Sequence, residues 1–394
     1  MHRSTELLAP LLEGIERELP RAIALRRRLH ERPELAHHEQ WTAATVAEEL
    51  PVDSVTVART GRLAVIGSSA GAAGPAVAVR AELDGLPIEE HTGAPFQAAG
   101  GTMHACGHDV HMAALVALAR AAQPLADRLP APLIALFQPS EEAYPSGARE
   151  LVREELAAIA PAAVVAAHVH PEVPWGSIAL DPGVVNASCD AVTITVDGEP
   201  AHSSYPHRGR DPILAISEIV LSLHAQVSRR IDPLSPAVLT VGVLEGGEVE
   251  NMIPGRARAL ATLRAYGRED RHALAEMVDE IVGGIAAAHG CRGTVELVPG
   301  EPPLENDPAI VASARALLPD AGLAVAAEWR SCGSDDFSFF GELAPVAMAF
   351  VGLDGAADFQ PRPLHHPQFL PPEDAVGALA RAQAVLYLAA ALKR

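Results

Sequence analysis

Short apolar runs recur along the chain, and each one ends in polar residues. AVAVR (76–80) leads into AELDGLPI, APLIALF (131–137) into QPSEEAYPSGA, and AVVAA (163–167) into HVHPEVP. Near the end, PVAMAFVG (345–352) precedes a loop that reaches PLHHPQF. Helical stretches such as VHMAALVALARAA separate the runs. Apolar runs of about four to eight residues alternating with helices predict buried, parallel strands of an α/β sheet. Ligands of such sheets bind beyond the carboxyl ends of the strands. Here those ends carry the carboxylates and histidines. Upstream, residues 4–32 read as helices with one break at Pro20, stopped at Pro33, with the RRR run as a solvated face. QWTAATVAEEL reads as a further amphipathic helix. The Gly/Ala-rich GSSAGAAGPA (67–76) precedes a strand and no helix, so it reads as a loop rather than a phosphate cradle.

The pattern changes in the middle of the chain. CDAVTITVDG alternates apolar and polar positions, as a strand with one wet face does. DPILAISEIVLSLHAQVSRR follows as a helix, then AVLTVGVLEGG and RARALATLRAY as strands. REDRHALAEMVDEIVGGIAAAHG is a second helix and RGTVELVPG a last strand. This β-α-β-β-α-β, ferredoxin-like order describes an inserted α+β domain at 186–299. The predicted fold class is therefore α/β: a discontinuous α/β domain, 1–185 and 300–394, with a mostly parallel sheet, interrupted by that insertion. There is no internal repeat.

Composition narrows the function classes. The formal net charge of -20 disfavours phosphate backbones and anionic lipid, so neither nucleic acid nor membrane is an expected partner. Aromatics at 4% argue against stacking platforms for bases or sugars. No apolar run reaches the roughly 18 residues of a membrane span, and the acids in MHRSTELLAPLLEGIEREL are foreign to a signal peptide. Cys106, Cys189, Cys291 and Cys332 show no framework spacing. Reduced thiols and a cytoplasmic location are expected.

The densest chemistry lies in HACGHDVH (104–111). Cys106 and His108 alternate in a loop just before a helix predicted to begin near Val110, and a helix N-terminus favours thiolate. Thiolate with imidazole suits zinc and tolerates manganese, cobalt or nickel. Two other readings stand beside a metal site: a cysteine nucleophile with a nearby base, or a buried Cys with a capping Asp109. Glu141 and Glu142 follow a buried run directly, poor ground for a solvated charge pair. One can coordinate metal while the other takes a proton from water. His168, with His170, and His365, with His366, mark two further strand ends. Asp84 reads as an acid that orients a ligand by hydrogen bonding. In the insertion, His202, His207, Asn251 and Arg264 are donors suited to an oxyanion or a carboxylate.

Together these residues resemble the amidohydrolase branch of the aminoacylase/carboxypeptidase G metallopeptidase family. That branch includes auxin-conjugate hydrolases, hippurate hydrolases and N-acetyl-diaminopimelate deacetylases. The resemblance runs nearly end to end through LRRRLHERPEL, RAELDGLPI, HACGHDVHMAAL, FQPSEEAYPSGA, HVHPEVPWGSI, AHSSYPHRGRDPI, GGEVENMIP, GSDDFSFF and LHHPQF. It implies two divalent metal ions, manganese or zinc before cobalt or nickel, held by Cys106, His108, Glu142, His168 and His365, with Cys106 bridging. It implies Glu141 as general base, His202 steadying the oxyanion within one chain or across a dimer, and Asn251 and Arg264 on a substrate carboxylate. It further implies a lid that mediates homodimerisation. Three departures are visible. AELDGLP stands where relatives show ADMDALP. His366 stands where a small polar residue is usual, leaving both histidines of LHHP as candidate ligands. The Gly before Thr262 is lacking.

The implied reaction is hydrolysis of the amide bond of N-acyl amino acids of acetyl, benzoyl or indole-acetyl type. The alternatives are a dipeptidase or carboxypeptidase on the same scaffold, a metal-binding protein without catalysis, and a cysteine hydrolase using Cys106.

Overall fold

The computed structural model describes residues 2–67 and 75–392. Most of the Gly/Ala-rich stretch 67–76 lies outside the described residues. The chain divides into two compact units. One comprises Met1–Gly183, Glu305–Trp329 and Asp336–Arg394, and the other Val184–Leu304 and Arg330–Asp335.

The larger unit is built on an eight-stranded sheet. Its order is Ser54–Val57, Gly61–Ile66, Leu133–Gln138, Val77–Glu82, Ala163–Pro174, Val346–Asp354, Ser177–Ala179 and Ala324–Val325. The central pairings are parallel, while the first strands pair antiparallel. Val77–Glu82 and Leu133–Gln138 are buried at every position. That is why neither alternates apolar with polar positions: LIALF is an unbroken apolar run, and the charged Arg80 and Glu82 of the other strand are themselves buried. The helices His108–Ala122 and Asp374–Ala391 are buried almost all round, as their alanine- and leucine-rich sequences require.

Three elements differ from the sequence reading. Residues His2–Glu31 form one helix with Pro10 and Pro20 inside it, so the break expected at Pro20 is absent. Pro20 is exposed, and the carbonyl it frees one turn back can be hydrated. The stripe of Leu8, Leu11, Ile15, Leu25 and Leu29, all buried in the core, outweighs the roughly 3 kcal/mol that an interior proline costs. The helix expected near Val110 begins at His108, so His108 and Asp109 are first-turn residues. The strand expected at 163–167 runs on to Pro174, pairing with Val346–Asp354. His168 therefore lies within a strand. It comes two residues after Ala166, the last residue paired with Val77–Glu82, and so stands level with that neighbour's carboxyl end.

The smaller unit has a four-stranded antiparallel sheet, ordered Ala237–Gly246, Arg256–Ala265, Asp190–Asp197, Arg292–Pro299. Helices Pro212–Arg230 and Arg268–Ala288 complete the β-α-β-β-α-β order. Their apolar stripes, including Ile216, Ile219, Leu274 and Val278, meet Val192, Ile194 and Val196 of the sheet in a core of their own. Asp211 caps the first of these helices, accepting from the Ile213 and Leu214 amides. Among the described residues, no helix is long and apolar enough to cross a membrane.

Candidate metal centre

The carboxyl ends of three adjacent strands bring one set of donors together. Val77–Glu82 delivers Glu82 and Asp84, Leu133–Gln138 leads to Glu141 and Glu142, and Ala163–Pro174 carries His168. The turn before helix His108–Ala122 supplies Cys106 and His108. Gly107 in that turn has φ +89°, and a Cβ there would stand 2.5 Å from Val169 Cγ2. Only glycine combines the left-handed backbone with so close an approach. Metal-ligating atoms of Cys106, His108 and Glu142 all lie within 4.8 Å of one another, as do those of Glu82, His108, His111 and His168.

Hydrogen bonds fix the imidazoles. His108 Nδ1 is 2.8 Å from the Asp84 carbonyl oxygen, and His168 Nδ1 is 2.7 Å from the Val169 carbonyl oxygen. A carbonyl only accepts, so both Nδ1 atoms carry the proton and both Nε2 atoms present lone pairs. His168 Nε2 points at Cys106 Sγ, 3.4 Å away. His108 Nε2 is buried without a hydrogen-bond partner and lies 3.8 Å from Glu141 Oε2. Burial lowers the pKa of both rings, that of His168 strongly, which keeps them neutral as ligands must be.

Asp84 acts differently from the sequence expectation. Its backbone carbonyl, not its carboxylate, receives the His108 hydrogen bond; the carboxylate lies 3.8 Å from Nδ1. Oδ2 instead accepts from the Glu142 amide at 2.9 Å, fixing the loop after its strand. Burial pushes the Asp84 carboxyl up to about 8. Asp109 does not cap the helix. It is buried against Arg26 and His30, at 2.6 and 2.8 Å. Burial opposes its charge, but these two cations outweigh burial and hold the carboxyl well below its usual range.

Glu142 faces His365, with Oε1 3.2 Å from Nε2. Burial would raise the Glu142 carboxyl, yet the His365 ring beside it lowers it. His365 has φ +64° and is tied down by its amide, which donates to the Ala105 carbonyl at 2.9 Å. A non-glycine residue held there costs about 1–3 kcal/mol, a strain that concentrates at functional sites. His366 Nδ1 accepts from the Gln368 amide at 3.0 Å, a local turn contact. Of the two histidines, His365 is the one aimed at Glu142.

The donor set fits divalent metal. The Cys106 thiol, the His108 and His168 imidazoles and the Glu142 carboxylate converge, and the buried His108 Nε2 lacks a hydrogen-bond partner, as an atom reserved for a cation would.

The remaining predicted residues belong to the smaller unit. His202 and Asn251 come together on a two-stranded ribbon: Met252 pairs with His202, and the Ser203 amide donates to the Asn251 carbonyl at 3.0 Å. Both are exposed. The ribbon strand Met252–Ile253 ends three residues before Arg256, and Arg264 lies eight residues further along strand Arg256–Ala265, roughly 26 Å from Arg256. Its Nη1 donates to the Cys332 carbonyl at 2.9 Å.

Sequence reasoning missed His111 and Glu82. His111 stands three residues after His108 on one helix, a spacing that puts both on one face. Its position in an apolar helix hid that signal.

The family model "Peptidase family M20/M25/M40" matches residues 78–390. The chain is 35% identical to the N-acetyl-L-cysteine deacetylase of Bacillus subtilis (strain 168), covering 93% of this chain and 86% of that protein. It is 32% identical to the N-acetyldiaminopimelate deacetylase of the same organism, over 90% and 94% of the two chains. A crystal structure of a Bacillus subtilis protein described as a dinuclear metal binding peptidase from the M20 family superposes with a TM-score of 0.83 at 29% identity, covering 95% of this chain and 98% of that one. The motifs, the converging donors and these likenesses agree: the chain belongs to the peptidase family M20/M25/M40 and is a hydrolase of amide bonds.

Proposed function

We propose that the protein hydrolyses the amide bond of N-acyl amino acids with two divalent metals held by Cys106, His108, Glu142, His168 and His365. The observation that carries this reading is the pair of imidazoles whose Nδ1 protons are committed to backbone carbonyls. Their Nε2 lone pairs then converge with the Cys106 thiol and with Glu142. The deacetylase names of two relatives support an acyl-amino-acid substrate. Mixed thiolate, imidazole and carboxylate donors suit zinc or manganese, with cobalt and nickel compatible.

When bound, the metals polarise the amide carbonyl and bring the pKa of a water towards about 7. Glu141, 3.8 Å from His108 Nε2, takes the proton of the attacking water as a C–O bond forms. It passes that proton to the nitrogen as the C–N bond breaks. The products are a carboxylic acid and a free amine. His202 steadies the oxyanion, and Asn251 and Arg264 hold the substrate carboxylate. A small substrate cannot reach across roughly 26 Å of one smaller unit. This separation favours a homodimer in which the His202 ribbon and Arg264 serving one substrate come from different copies.

A substrate panel tests the reading. N-acetyl, benzoyl and indole-acetyl amino acids should be cleaved in preference to dipeptides with a free amino group. A preference for the dipeptides would transfer the chain to the peptidase reading.

A further inference from the structure

His111 is part of the converging cluster by distance, but its ring is already spoken for. Nε2 accepts the Val169 amide at 3.1 Å, so Nδ1 carries the proton and donates to Glu82 Oε2 at 2.8 Å. No lone pair remains for a cation. The ring packs against His168, centroids 4.4 Å apart and nearly edge-on. Val169 supplies the carbonyl that fixes the His168 tautomer. The same residue is thus held at its amide by His111 and at its carbonyl by His168.

Behind His111 the contacts continue inward. Glu82 is bonded by Arg80. Arg80 in turn donates to Gln138 Oε1 at 2.8 Å and to Asp336 Oδ1 at 2.9 Å. Gln138 also donates to both Asp336 oxygens at 2.8 Å, and the Ser146 hydroxyl donates at 2.7 Å. His111, Glu82, Arg80, Gln138 and Asp336 are each at most 1% exposed. This network gives a role to Asp336 of the GSDDFSFF motif.

We infer that His111 is a positioning residue: anchored through Glu82, Arg80 and Asp336, it holds the Val169 peptide and thereby aims the His168 Nε2 lone pair at Cys106. The inference rests on the proposed ligand role of His168. Loss of such supporting contacts typically costs about 10- to 100-fold in metal affinity.

The test is metal binding, measured by competition with a chromophoric chelator and by metal content at saturation. Two variants separate the two ring nitrogens. His111→Asn retains a donor near Nδ1 and loses the acceptor for the Val169 amide. His111→Gln places an acceptor near Nε2. His111→Asn should weaken zinc or manganese binding about 10- to 100-fold with two metals still bound at saturation, and His111→Gln should recover much of that loss. Should His111→Asn yield no folded protein, Glu82→Gln carries the same expectation. Wild-type affinity in His111→Asn or Glu82→Gln would overturn the inference. So would a fall to one metal at saturation, which would make His111 a ligand. If the wild-type protein itself bound no metal, the functional reading would fail first.

Discussion

Glu141 and Glu142 are neighbours in sequence, and the roles proposed for them differ as their surroundings do. Glu142 is held by the Asp84 carboxylate at its amide and faces His365, whereas Glu141 lies across from His108 Nε2. Glu141→Ala should therefore retain metal while losing about 100- to 10,000-fold in kcat; wild-type turnover would remove Glu141 from the mechanism. His365→Ala should weaken metal binding and His366→Ala should not, read by chelator competition. This choice was not legible in LHHP, because it depends on a positive φ and a loop-to-loop hydrogen bond at His365. A third expectation concerns His30. Burial opposes its charge, but Asp109 and Glu90 outweigh burial and raise its pKa. Its contribution to stability is present in full below its unfolded pKa of about 6.5. That contribution is lost as pH rises through the higher folded value. Thermal unfolding of the metal-free protein should show this loss, and His30→Gln should flatten it.

At the scale of elements, the strands and their polar ends could be read directly, because strands buried on both faces are unbroken apolar runs. The continuity of helix His2–Glu31 could not be read. Proline rules are local, and the apolar stripe that overrides them gains its energy from distant residues of the core. The support behind His108 was also hidden, since a backbone carbonyl of Asp84 leaves no trace in residue type. The turn at Gly107 did show as a glycine, though its reason is tertiary. Gly107→Ala should destabilise the protein by about 1–3 kcal/mol and weaken metal binding, because the added Cβ meets Val169. Chemical denaturation with and without metal would measure both effects; unchanged stability would mean that the turn accommodates a side chain.

For the whole molecule, the smaller unit presents strand Ala237–Gly246 as a sheet edge, with Val243 and Leu244 exposed on it. Such edges invite pairing with a second chain. The proposed homodimer would pair along this edge, so Leu244→Glu should shift sedimentation towards monomer and lower activity while metal content stays unchanged. A variant that stays dimeric would place the interface elsewhere. The donors at the strand ends are proposed to form a catalytic metal centre. Its most direct test is hydrolysis of N-acyl amino acids by protein stripped with chelator and then reloaded with zinc, manganese, cobalt or nickel. Activity should disappear with the metal and return with it. Activity indifferent to chelation would contradict it and point to Cys106 as a nucleophile.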